Sequence, residues 1–306
     1  MSEEQFLTVS ETTDLWHYVG EYKVPIEKSI RQFLPLAPPH IETEFNEAVE
    51  YALFPGGKRL RPILTLLGAE VVGGAAENVL PPAVAVEFIH SSSLIFDDLP
   101  AMDNSPERRG KPALHEKYGA GLAILVALGL LNSSYGLVFV NHYNLPERAM
   151  QAHAELVECV GAAGMVGGQS IDLAMAKSAD ADESLNNDFA AEANRNLKTS
   201  ALMRLALRLG AILAGADYAQ LNSLSRFARL LGDAYQLGDD LLDLREDDAA
   251  FETQKTFALN FGRETAQLQL KTLVADANKI LLENFSPSTA RNHLIQLTEY
   301  LATRKN

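Results

Sequence analysis

The chain has one cysteine in 306 residues, so no internal disulfide can form, and Cys159 has no neighbouring Cys or His cluster to suggest zinc. A reducing, cytoplasmic setting is the expectation that follows. Basic residues are also scarce: 26 Lys and Arg face 40 Asp and Glu, a net charge of −14. Such a surface repels phosphodiester polymers and anionic membranes, and no basic tract offsets it, which sets nucleic-acid binding aside. Strand signals are nearly missing, because β-branched runs and alternating patterns bounded by turns do not recur. Internal repeats and long linkers are lacking too. The opening MSEEQFLTVSETTD has neither the cationic start nor the apolar run of a signal peptide. Tyr118 to Val140 runs 23 residues without a charge, long enough to cross a membrane. Four glycines and the trio Asn132, Ser133 and Ser134 interrupt it, so a buried helix in a large helical core is expected rather than stable membrane insertion.

What is present points to helices. Hydrophobic residues make up 47% and charged residues 22%, enough for a large core. Apolar residues return at three- and four-residue spacing, as in the stripe Leu224, Phe227, Leu231, Ala234 and Leu241 of the segment Leu221–Leu244. The same pattern covers Ile41–Leu53, Pro62–Val72, Pro82–Leu99, Ala120–Asn141, Pro146–Met175, Asp188–Leu213 and Arg263–Leu282, with proline and glycine at the breaks. The reading is one all-α domain over residues 1–306, with residues 1–20 as an N-terminal arm.

Two acidic clusters stand out. The first is Asp97-Asp98-Leu99-Pro100-Ala101-Met102-Asp103, at the end of the apolar helix that begins near Pro82. The second is Asp239-Asp240-Leu241-Leu242-Asp243, where Asp239 and Asp243 stack on one helical face with Tyr235 and Gln236. Like charges at that spacing repel, so something positive belongs between them. In the first cluster Pro100 prevents a regular helix, so a bulged helix end has to bring Asp97 and Asp103 together. Magnesium suits such groups: it takes hard oxygens, uses one or two carboxylates per ion, and completes its shell with water and phosphate oxygens. Solvated acidic patches are the alternative, but Phe88-Ile89, Leu94-Ile95-Phe96 and Leu241-Leu242 place these carboxylates at the border of a core.

Six of the 26 basic residues fall in two short windows, Gly56-Gly57-Lys58-Arg59-Leu60-Arg61-Pro62 and Arg108-Arg109-Gly110-Lys111. A Gly-rich turn entering a helix is a natural anion site. Paired aspartates and such windows in one chain point to anionic, metal-chelated ligands.

These residues resemble the trans-isoprenyl diphosphate synthases, or polyprenyl synthetases. FIHSSSLIFDDLPAMDNSPERRGKPALHEKYG is similar to the family's first aspartate-rich motif, and GGKRLRP, GGQSIDL, LKTSAL and LGDAYQLGDDLLD match further blocks in order, from about Phe45 to Gly262. The resemblance implies an antiparallel helical bundle around a deep central cavity, a homodimer, and 1′-4 condensation of isopentenyl diphosphate with an allylic diphosphate. It implies that Asp97, Asp103 and Asp239 hold Mg²⁺, three ions per site, with Asp98, Asp240 and Asp243 as further or water-mediated ligands. Arg108, Lys198 and Lys255 would add charge to the leaving diphosphate, and Lys58, Arg61, His90 and Arg109 would hold isopentenyl diphosphate. Thr199 and Gln236 match positions near the allylic ligand, while Gln169 and Asp172 share a helix face and would support that wall. His90 lies seven residues before Asp97, two turns up the same face, which favours a ligand over a core histidine.

The chain departs from the family at Phe96, where a histidine is common, at Ser200, where K-T-G has glycine, and after Asp243, where the G-K-x-x-G-K-D lysines are missing and Lys255 stands in. In the family the residue five before the first motif floors the product tunnel. Here it is Ser92, beside Ser93; small side chains let elongation pass the C15 stage, with Phe88 and Ile89 one turn deeper as the next floor. Geranylgeranyl diphosphate is the expected product. The alternatives are a farnesyl or longer-chain synthase, a class I terpene cyclase, a non-catalytic subunit of a heteromeric synthase, and a structural divalent-ion-binding protein.

Overall fold

The computed structural model describes residues 14–179, 200–243 and 262–303, with side chains for 14–174, 200–242 and 262–301. The helices are α1 (Leu15–Gln32), α2 (Phe45–Leu53), α3 (Leu60–Glu70), α4 (Leu80–Asp98), α5 (Leu114–Tyr118), α6 (Ala120–Leu137), α7 (Pro146–Val160), α8 (Met165–Ala179), α9 (Ala201–Ala214), α10 (Tyr218–Asp243), α11 (Arg263–Asn284) and α12 (Thr289–Thr303). The all-α expectation holds. Among the described residues the one sheet is a ribbon of β1 (Glu107–Arg108) and β2 (Lys111–Pro112). Its two-residue loop, Arg109-Gly110, has φ of 55° and 71°, the left-handed pair of a type I′ hairpin turn.

Helix α4 is the centre of the molecule. Every residue from Pro81 to Ile89 is buried, and the helix packs against α1, α3, α6 and α9. A helix apolar on all sides has no other stable place in water. Pro81 and Pro82 occupy its first turn, where a missing N–H costs nothing. It stops at Asp98 because Pro100 pushes Leu99 out of the helical region.

Helices α3 and α9 touch backbone to backbone. A Cβ at Gly68 would sit 2.2 Å from the Leu207 carbonyl oxygen, and one at Gly210 would sit 1.9 Å from that of Thr65. This contact fixes α3, and with it the basic turn that precedes it.

Three segments differ from the sequence reading. The arm assigned to residues 1–20 is helical from Leu15, and Leu15, Tyr18, Val19, Ile26 and Ile30 bury one face; the polar leader and Pro25 obscure that stripe. The uncharged segment forms α6, but only about a third of it is buried, and Ile124, Leu125 and Leu128 are exposed. The single helix expected over Pro146–Met175 is two, because the chain turns through Gly161-Ala162-Ala163-Gly164. Gly164 makes that turn possible, since a Cβ there would meet the Cys159 carbonyl oxygen at 1.9 Å.

Gly210→Ala should destabilise the protein by about 1–3 kcal/mol, since overpacking at the α3–α9 contact outweighs the better helix propensity of alanine. Urea unfolding measures this, and an unchanged midpoint would contradict so close a crossing.

Candidate active site

A cavity of about 420 Å³ opens between α3, α4, α6, α7, α8 and α9. Helix α4 supplies most of one wall through Ile89, His90, Ser92, Ser93, Leu94, Phe96 and Asp97, and Arg61 joins from α3. Leu131 of α6, Val160 of α7 and Leu202 of α9 add apolar wall. The glycine turn before α8 brings Met165, Val166, Gln169, Ser170 and Leu173 to the remaining side. These α8 residues recur at helical spacing, a stripe legible in the sequence once the helix is broken at Gly164. The volume and the few polar groups among apolar walls suit a small amphiphile.

Arg61 and His90 meet in the wall, Arg61 Nη1 to His90 Nε2 at 3.1 Å. Burial, then the positive fields of Arg61, Arg109, Arg108 and Arg59, holds the imidazole well below its ordinary range. Guanidinium only donates, so Nε2 of the neutral ring accepts and Nδ1 carries the proton. Burial likewise presses Arg61 below its ordinary range, opposed by Glu87 and Tyr235, and its Nε is buried without a hydrogen bond. Arg109 is carried by the hairpin turn, with its guanidinium against Gly57: a Cβ there would lie 3.4 Å from Nη2.

The acidic motif behaves as Pro100 requires. After α4 ends, the Asp103 amide donates to the Asp97 carbonyl at 2.9 Å, folding the chain so that the two residues sit together despite their separation in sequence. Asp97 faces the cavity and Asp103 is exposed. Asp98 points elsewhere: it is buried, and both of its oxygens accept from Arg108 Nε at 3.1 Å, while Nη2 adds a second contact. That bond to Asp98, with the fields of Asp97 and Asp103 behind it, raises Arg108 above its ordinary range. As a ligand, Asp98 would first have to leave Arg108.

Other expected residues are placed differently. Arg59, which drew no role, is the most buried cation of its turn, held by Glu27 at 2.8 Å and by Glu87, and its Nη2 donates to the Leu53 carbonyl at 2.7 Å. Lys58 turns to Tyr300 instead of Arg61 and His90. Ser92 and Ser93 line the cavity as expected, but Phe88 does not: it is fully buried in the core, and Ile89 takes the wall position because successive helical residues point about 100° apart. Gln169 lines the cavity while Asp172 does not. Gln236, Asp239 and Asp240 are half-buried on α10 and do not line it. Among the described residues no three acidic, His or Cys side chains gather as a metal site. Lys198, Thr199, Lys255 and the side chain of Asp243 lie outside the described residues.

The chain matches the polyprenyl synthetase family model over residues 42–296. It is 35% identical over 303 residues to a geranylgeranyl diphosphate synthase of Cyanophora paradoxa, covering 96% of this chain and 97% of that one. It is 36% identical to a chloroplastic geranylgeranyl pyrophosphate synthase of Capsicum annuum, covering 94% of this chain and 78% of the other. Among solved structures, an FPP/GFPP synthase from Zymomonas mobilis superimposes with a TM-score of 0.84 at 29% identity, covering 95% of this chain and all of that one.

The His90 environment has a consequence for stability. A folded site that refuses the proton loses stability as pH falls below the ordinary histidine value of 6.5, where the unfolded chain accepts it. In His90→Gln this component should vanish, so urea midpoints taken from about pH 8 to about pH 5 fall less steeply than in the parent. Equal slopes would mean that His90 titrates normally.

Proposed function

Because the chain belongs to the polyprenyl synthetase family, we propose that it is a Mg²⁺-dependent short-chain prenyltransferase joining isopentenyl diphosphate to an allylic diphosphate, with geranylgeranyl diphosphate as its main product. One observation carries the reading: a largely apolar cavity of about 420 Å³ whose wall bears a hard carboxylate, Asp97, together with Arg61 and a neutral His90. An isoprenoid chain needs the apolar part and a diphosphate needs the rest. The free, buried Cys159 accords with the cytoplasmic setting proposed for the enzyme.

The donor set fits magnesium. All candidate ligands are carboxylates, and the amide of Asp103 on the carbonyl of Asp97 holds a second one beside Asp97 at the cavity; Mg²⁺ asks for one or two per ion and takes the rest from water and phosphate. Held by Asp97, Asp103 and the aspartates of α10, such ions would neutralise the allylic diphosphate as a leaving group. Arg108 adds charge at the same place. Arg61 and Arg109 offer guanidinium donors, and His90 its Nδ1–H, to the second diphosphate, so that the isopentenyl double bond is aimed at C1 of the allylic partner. The departing diphosphate can take the final proton, so no side-chain base is needed.

Product length follows from what walls the cavity. Ser92 lies five residues from Asp97 on α4, about 7.5 Å along the helix axis, and offers no bulk to stop the chain. Leu131, Val160 and Leu202 are apolar residues contributed from α6, α7 and α9, and they replace Phe88 as the candidate floor. Relatives named for the geranylgeranyl product support the C20 assignment.

We also propose that the enzyme works as a homodimer. Leu125 and Leu128, both exposed on α6, line a surface groove with Ile41 and Phe45, and an exposed apolar patch of this kind supports a contact with a second copy.

Two sets of measurements test these readings. Purified protein with Mg²⁺ and isopentenyl diphosphate should extend allylic starters to C20, Asp97→Ala should lower kcat by at least about a hundredfold, Ser92→Tyr should shorten the product to C15, and Leu131→Ala should lengthen it. Phe88→Ala should cost about 3–5 kcal/mol of stability without moving the product distribution. No extension of any starter, with Asp97→Ala like the parent, overturns the synthase reading; a hydrocarbon product without consumption of isopentenyl diphosphate replaces it with a cyclase. Sedimentation should give two copies for the parent and one for the Leu125→Glu, Leu128→Glu double variant; a monomeric parent rules out the dimer.

A further inference from the structure

The rings of Trp16 on α1 and Tyr300 on α12 flank the side chain of Lys58. Its Nζ donates to Tyr300 Oη at 2.6 Å and lies 5.1 Å from the centre of that ring and 5.5 Å from the centre of Trp16. The rings themselves meet edge to face, 4.7 Å apart. Among the described residues Lys58 has no carboxylate partner.

The position is unexpected for a phosphate ligand, and charge explains it. Arg59 and Arg61 already crowd that turn, Arg109 reaches it from the hairpin, and Glu87 and Glu27 are the carboxylates beside them. Burial and the field of Arg109 both disfavour the charge on Arg61, while Glu87 favours it. A further ammonium beside Arg61 would add repulsion with no carboxylate to offset it. Two ring faces and a phenol offer the ammonium a place without that repulsion.

We propose that Trp16 and Tyr300 are positioning residues that hold Lys58 aside until a diphosphate reaches Arg61, His90 and Arg109 and draws it off the rings. The proposal rests on the reading that Lys58 is a ligand of isopentenyl diphosphate. The driving force is a difference in bond strength: an ammonium bonded to phosphate oxygens makes charge-assisted hydrogen bonds, stronger than one bond to a neutral phenol. While it rests on the rings, Lys58 is available to substrate only part of the time, so the cage weakens apparent affinity for the second substrate. The arrangement ties that affinity to helices at both ends of the chain, neither of which reaches the cavity wall.

Trp16 is the only tryptophan of the chain, so its emission reports on the cage. Titrating isopentenyl diphosphate, and separately inorganic diphosphate, into the full chain should change Trp16 emission saturably, and Lys58→Met should abolish the change. In steady state Tyr300→Phe should lower KM for isopentenyl diphosphate by about three- to tenfold, leaving kcat and the KM of the allylic substrate within about twofold. A merely structural Tyr300 would move all three or none. The proposal is overturned if Tyr300→Phe leaves KM for isopentenyl diphosphate unchanged or raises it, or if the emission change survives in Lys58→Met. Should the chain extend no starter, the synthase reading fails, and the inorganic diphosphate titration still decides the cage: constant emission sinks it. Normal extension with an unmoved KM sinks the cage alone.

Discussion

Concentrating positive charge inside a helical core is the constraint on which the rest of this structure depends. Cations attract diphosphates only if they are kept close together and partly dry, yet that is the arrangement in which they repel each other and resist burial. The fold answers by giving part of the cluster carboxylate counter-ions. Arg59 is held by Glu27 of α1 and Glu87 of α4, and Arg108 by Asp98. Arg61 is left with a neutral histidine and a buried, unbonded Nε. The groups without a carboxylate to bond are those best placed to bind an anion.

Glycine determines where these groups can be. Gly68 and Gly210 let α3 approach α9 at backbone distance, which sets the depth of Arg61; Gly164 lets the chain reverse between α7 and α8, which turns Gln169 and Leu173 toward the same cavity. Both devices act through the absence of a side chain. The hairpin turn at Arg109-Gly110 works differently: a left-handed arginine is an uncommon conformation, sustained here by the ribbon, and it places a cation beside Gly57.

An acidic protein that binds small polyanions is less contradictory than its net charge suggests. The −14 is the sum over the whole chain, and it disfavours long anionic partners that carry many phosphates. The cavity sees a local field set by Arg61, Arg109 and Arg108, and a carboxylate at its rim becomes attractive to phosphate once a divalent cation is bound to it.

Much of this was legible in the chain itself. Periodicity identified most of the helices though not α1 or α12, the lone cysteine excluded an internal disulfide, and Pro100 implied the fold-back that joins Asp97 to Asp103, because local backbone chemistry acts over a few residues and is written in a few residues. The sequence also marked both basic windows, though not which cation in each would be used. That Arg59 is a buried strut, that Asp98 is committed to Arg108, that Ile89 and not Phe88 faces the cavity, and that Lys58 lies on rings from opposite ends of the chain were decided only by the tertiary structure. The reason is physical: a helical pattern states that a face is buried but not against what, and the fate of a charge depends on partners from other elements, 10 to 32 positions away for the arginines and 242 for Lys58.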